Sequence, residues 1–413
     1  MSSQQIQALE SEKIPKLLFH YALPAVVGTA VNSLYNVVDR IFIGNGVSEY
    51  ALSGLAITFP ILIFLMAFGM LVGAGASVRI SILLGRKDIK EAEHTLANAI
   101  FLTFFTQALT IIPCYIFMEP LLRMFGASER TLPYAMEYLQ YVVPANIFSA
   151  LSFGFNAIMR ASGYPRKAMI TMIIGAMTNV VLDYIFIYPL GMGISGAAIA
   201  TVISMIVCSV YVLSHFFRKD SIVRFHRSAF RLSLPVISGI TAIGVAPFAM
   251  HLTGSLVNII MNRSFVSYGE TADATDLAIG AFGIINGYAM LFFMIIIGVA
   301  QGMQPIVGFN YGAKNPGRVK SVYRYSCGVN LLVSFLGFAL AMLMPRTIVS
   351  LFTNSEQMIE LSASALRTAL IGLSLVGFQV TTTQFFQSIG FSHKAIFLSL
   401  TRQIIFLIPC LLI

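Results

Sequence analysis

A chain of 413 residues with 57% hydrophobic and only 10% charged side chains lies outside the range of soluble domains, which carry roughly 25% charge. Its net charge of +9 is scattered over the connections between apolar runs, which excludes the single basic face of a nucleic-acid-binding protein. The mean hydropathy is +0.83, and apolar runs of about 20 residues recur from end to end. The chain therefore reads as an all-α polytopic membrane protein; an outer-membrane barrel would show short alternating segments instead.

Residues 1–12 are polar and lack the n-region and h-region of a cleaved signal peptide. Helices are predicted near 16–43, 50–83, 94–118, 133–160, 168–189, 193–217, 236–267, 276–308, 318–343, 358–387 and 396–413. Lys13 and Lys16 precede the first helix. Arg86, Lys87 and Lys90 follow the second, Arg166 and Lys167 the fourth, and Arg218, Lys219, Arg224, Arg227 and Arg231 the sixth. Lys314, Arg318 and Lys320 follow the eighth, and Lys394 follows the tenth. The alternate connections, such as GVSEY and GETADATD, are acidic or neutral. This positive-inside pattern predicts a multi-pass cell-membrane protein with a cytoplasmic N-terminus.

The first helix contains YALPAVVGTAVNSLYNVVDRIFIG, Tyr21–Gly44. Asp39 at membrane depth costs about 2.5–3.5 kcal/mol on insertion scales, so it should face protein or water. Pro24 removes a backbone donor and should bend the helix. Arg40, and likewise Arg79 in the second helix and Arg160 in the fourth, should snorkel outward from helix ends.

The fifth helix carries the other acid at depth, Asp183. Counted from the helix ends, Asp39 and Asp183 stand at similar levels in the outer half, where two carboxylates can share a proton. Asn179 lies one turn before Asp183 on the same face, and Thr201 in the sixth helix is placed to donate to either acid. The alternative is two helix-end acids reaching interfacial water.

Phe217–Arg231 is the longest polar connection and separates two halves that repeat. GRKDIKEAE at Gly85 resembles GAKNPGRVK at Gly312, an offset of 312 − 85 = 227 residues that also pairs Phe125 with Phe352 and Lys167 with Lys394. Upstream, Pro24-x14-Asp39-Arg40 pairs with Pro247-x14-Asn262-Arg263. The repeat is parallel, with its axis along the membrane normal. It divides the chain into a first lobe over 1–217, a linker over 218–235 and a second lobe over 236–413. The second lobe is expected to be incomplete: the last helix or so, about 30 residues, is missing from this chain. Asp39 corresponds to Asn262 and Asp183 to Cys410, so the acid site belongs to the first lobe alone. His251, near the middle of the seventh helix, reads as a packed histidine with one hydrogen bond. The four cysteines, Cys114, Cys208, Cys327 and Cys410, show no metal or redox spacing and read as packing residues.

LPAVVGTAVNSLYNVVDRIFIG, GRKDIKEA, MRASGYPRKAM, TNVVLDYIFI, GISGAAIATVIS and GVAQGMQPIVGFNYGAKNP together resemble the multidrug and toxic compound extrusion (MATE) transporters over essentially the whole chain. TNVVLDYIFI and the Pro24–Asp39 helix are similar to the DinF-like branch. The resemblance implies two six-helix lobes with cytoplasmic termini and export of drugs in exchange for H⁺ or Na⁺. It implies a coupling network at Tyr35, Asp39, Asn179, Asp183 and Thr201, a hinge at Pro24, and cavity positions at Asn32 and Asn156. The acids of the NorM-like second lobe have no counterpart at membrane depth.

The expectation is therefore a cation-coupled antiporter, with H⁺ ahead of Na⁺, exporting amphipathic and cationic small molecules. It would be a monomer among membrane lipids, with no nucleic-acid partner, no cofactor and no bound metal, save for Na⁺ as a possible ion at Asp39 and Asp183. A lipid-linked saccharide flippase would share the fold but would want a cationic central cavity. An intramembrane aspartyl protease would need YD and GxGD motifs; here the order is Asp183-Tyr184 and GxGD is absent, so the chain is not read as an enzyme.

Overall fold

The computed structural model describes residues 2–268, 272–353 and 355–401. Its helices are α1 (Ser2–Ser11), α2 (Ile14–Gly46), α3 (Glu49–Gly85), α4 (Ile89–Ile116), α5 (Met118–Met124), α6 (Leu132–Ala161), α7 (Pro165–Ile187) and α8 (Gly193–Phe217). After a linker with one 3₁₀ turn follow α9 (Leu234–Tyr268), α10 (Ala272–Gly312), α11 (Pro316–Leu343), α12 (Pro345–Ser350), α13 (Glu356–Ala369), α14 (Leu373–Ser388) and α15 (Ser392–Leu400). Among the described residues nine helices are long and apolar enough to cross a bilayer, and α13 with α14, bent by 47° at their junction, are together long and apolar enough for a tenth. No strand occurs among them. This follows from lipid as solvent, because a helix satisfies its own backbone where no water can.

Sequence reading placed the first ten spans and missed local detail; most of the eleventh, predicted over 396–413, lies outside the described residues. The predicted helix 358–387 is two helices, broken at Leu370–Gly372. α4 starts at Ile89 because Asp88 caps it, its Oδ1 accepting from Glu91 N at 3.1 Å. Asn315 caps α11 in the same way, accepting from Arg318 N at 3.2 Å. The residue before each cap, Lys87 and Lys314, has positive φ, 63° and 56°.

In the first half α3 packs on α6, α2 on α7, and α8 on both α6 and α7; in the second half α10, α11 and α14 pack together. The halves meet where α2 lies along α10 and α9 along α3. Three apolar clusters show where they join. One, on the side of the N-terminus, draws on both halves: Leu17, Ile80 and Phe155 from the first, Val236, Val299 and Phe309 from the second. On the far side each half has its own cluster, around Leu65, Leu139 and Ile194 in the first and around Ile285, Val349 and Leu366 in the second. On the N-terminal side Gly85 faces the Phe309 carbonyl and Gly312 faces the Ile82 carbonyl, and a Cβ at either glycine would overlap backbone. The lobes are thus clasped on the N-terminal side and packed separately on the far side.

Candidate functional site

Asp39 stands one turn after Tyr35 on α2, and Asp183 one turn after Asn179 on α7. Because α2 packs along α7, the two carboxyl groups face each other. Asp39 is 8% exposed and Asp183 fully buried, so neither reaches interfacial water as a helix-end acid would. No cation forms an ion pair with them among the described residues; the neighbouring Arg40 turns outward, its guanidinium 4.7 Å from the Phe59 ring centre. Both Asp183 oxygens, Asp39 Oδ1 and Asn179 Oδ1 are buried acceptors without a donor. A buried acceptor without a donor costs about 1–3 kcal/mol, and more when charged.

Thr201 on α8 accepts from Asn179 Nδ2 at 3.4 Å; it bonds the amide, where sequence reasoning expected it to donate to an acid. The Tyr35 hydroxyl lies beside Asp39 and Asn36. Tyr138 on α6, 4% exposed, stands beside Thr201 and close to both acids. Sequence reasoning missed Tyr138. Its signal was depth: it lies less than two turns inside α6, at the level of the acids.

The same elements enclose a cavity of about 60 Å³, room for a few water molecules. Tyr35 and Thr201 line it near the acids, Asn32, Ser152 and Cys208 along its walls, and Asn156 toward the N-terminal side. Every lining residue is neutral. Asn156 Nδ2 donates to the Ala168 carbonyl at 2.7 Å, tying α6 to α7. The structure thus brings Tyr35, Asp39, Asn179, Asp183 and Thr201 together and sets Asn32 and Asn156 on the adjoining cavity. Pro24 is buried in α2 between Ala22 and Val26, which lie against Gly302 and Gly298 of α10.

Two arginines depart from expectation. Arg160 does not snorkel: it is 8% exposed, its Nη1 donates to Asn156 Oδ1 at 3.2 Å, and its Nε has no partner. Arg79 is held by Glu91 at 3.0 Å and by Thr95. His251 is half-buried and makes no hydrogen bond among the described residues, against the one expected. Cys114, Cys208 and Cys327 are buried free thiols. Cys410 and the side chains of Asn262 and Arg263 lie outside the described residues. No group of three or more His, Cys, Asp or Glu side chains able to hold a metal ion occurs among the described residues.

The MatE family model matches residues 24–185 and again residues 247–412, one match in each half. Multidrug export protein MepA of Staphylococcus aureus (strain MRSA252) is 26% identical over 416 residues, spanning 100% of this chain and 90% of that protein. A crystal structure of MATE in the bent conformation superposes with a TM-score of 0.89 at 26% identity, over 97% of this chain and 88% of that one. MATE in the straight conformation gives 0.88 at the same identity and coverage. The chain belongs to the MatE family, the multidrug and toxic compound extrusion transporters, and carries the family pattern once in each half.

Proposed function

We propose that this protein is a proton-coupled exporter of amphipathic, cationic organic compounds, of the DinF-like type, with its N-terminus in the cytoplasm. The observation that carries the reading is the facing pair Asp39 and Asp183, buried, acceptor-rich and joined to the cavity by Tyr35 and Thr201. A proton taken from outside would supply the donor that two facing carboxyls lack. Tyr35 and Thr201 both touch this site and line the cavity, so a change of partners at the acids alters the cavity wall directly.

A cavity of about 60 Å³ is far below the about 300–1,000 Å³ of a drug-sized site. The described state therefore suits a contracted first lobe after substrate release, and lobes separate on the far side suit an outward-facing transporter. Relatives solved as bent and straight support a bending step, for which Pro24 is the hinge. Each charge moved through 100 mV supplies about 2.3 kcal/mol, enough for a gradient of close to fiftyfold. Na⁺ is the second ion the oxygen-rich site would accept. The neutral cavity wall gives no support to a lipid-linked saccharide flippase, which would want cations there.

The test is transport in proteoliposomes preloaded with ethidium, under a pH gradient and then a sodium gradient, with Asp39→Asn alongside. Efflux driven by pH and lost in the variant is expected. A response to sodium alone would keep the site and change the ion, and wild-type efflux by Asp39→Asn would overturn the assignment of the site.

A further inference from the structure

Arg160 is a buried guanidinium with no acid beside it. It is 8% exposed, makes no ion pair among the described residues, leaves Nε without a partner, and spends its one side-chain hydrogen bond on Asn156. Burying an unpaired charge is costly, and a packed neutral side chain would fill the place more cheaply. Its position suggests what the charge does. Asn156 lines the cavity and bridges α6 to the Ala168 carbonyl of α7. Ala168 and Asp183 are 183 − 168 = 15 residues apart on one helix, about 22 Å at 1.5 Å per residue. The acids thus stand toward the far side and the guanidinium toward the N-terminal side, and the small cavity between them is lined by apolar residues such as Phe153, Met172 and Met205 together with the hydroxyls and amides of Tyr35, Ser152, Asn156 and Thr201.

The polar groups of this wall offer partners for water, and a chain of waters along them would conduct protons. An exchanger whose acids take protons from one side would be short-circuited if those protons ran on to the other. We propose that Arg160 is the electrostatic barrier that stops small cations at the acid pair from passing on to the N-terminal side in the absence of substrate. The proposal rests on the proton-coupled reading above. Lys167 on that side is paired with Asp220 at 3.4 Å, whereas Arg160 is buried with no acid partner among the described residues. Fixed positive charge excludes protons and cations from pores in the same way.

The experiment is a leak assay on the full chain in drug-free proteoliposomes, with a pH dye inside, valinomycin and potassium clamping the voltage, and a sodium dye in parallel. Arg160→Met is expected to speed proton entry about tenfold or more, the effect of one charge about 10 Å away at an effective dielectric of 20. Arg160→Lys should stay near wild type. Arg160→Met combined with Asp39→Asn should return to the wild-type rate, because the route begins at the acids. If Arg160→Met does not fold, Arg160→Gln, which can still donate to Asn156, takes its place. An uncharged variant no leakier than wild type overturns the barrier. So does a leak that persists in the double variant, since that is a packing defect. Because no drug is present, these outcomes are separate from the ethidium test, which alone decides whether the wild type is a coupled exporter.

Discussion

Neither oxygen of Asp183 has a donor, and the group it faces is a second carboxyl, Asp39. Two such groups act as a unit, so their mutational effects should not add. Asp39→Asn, Asp183→Asn and the double variant are expected to lose pH-driven ethidium efflux to the same background, with folding intact by size exclusion. A double variant much worse than either single one would mean two independent sites. Asp39, Asn179 and Asp183 were legible in the sequence because a polar side chain in an apolar run has few reasons to be there. Tyr138 was not, because aromatic hydroxyls are common near helix ends. Arg160 was misread for a physical reason: counted along the chain it is near the end of α6. That end, however, is roofed by the linker, with Ile158 and Met159 packed in one cluster with Ile222 and Val223.

The spans were legible as elements because hydrophobic length is nearly sufficient in lipid, whereas breaks and caps depend on a few atoms. The break at Leu370–Gly372 follows the polar Arg367 and Thr368 and ends at Gly372, but single residues of this kind do not announce a 47° bend. The polar start of α4 reads as loop, yet Asp88 caps it and Glu91 ties it to Arg79. Pro24 was legible as a helix breaker, but not its surroundings: α2 runs unbroken from Ile14 to Gly46, and the proline sits at the seam with α10. Pro24→Ala restores a donor for the preceding turn and removes the ring clash. The helix should then resist bending. Thermal stability equal to or above wild type is expected, with ethidium efflux reduced about tenfold or more, the effect of shifting a conformational equilibrium by about 1.4 kcal/mol. Efflux at the wild-type rate in a well-folded Pro24→Ala would remove the hinge from the mechanism.

At the scale of the whole molecule the repeat was legible because its turn chemistry recurs: Gly85, Lys87 and Asp88 stand 227 residues before Gly312, Lys314 and Asn315. The meeting of the two copies was not legible, since apolar helices offer a sequence reader no marked face. The structure shows a reciprocal contact in which each glycine receives the other lobe's carbonyl, Gly85 from Phe309 and Gly312 from Ile82, again 227 residues apart. A pseudo-twofold axis therefore passes through the clasp on the N-terminal side. A side chain at either glycine should hold the lobes apart there, because the atoms it meets are backbone and cannot turn away. Gly312→Val is expected to lengthen the distance between spin labels at Lys87→Cys and Lys314→Cys in a cysteine-free background, and to slow efflux by removing the clasped state. An unchanged distance distribution would show that backbone approach at these glycines does not set the closed side. The exchange would then have to be gated on the far side alone, where each lobe already keeps its own core.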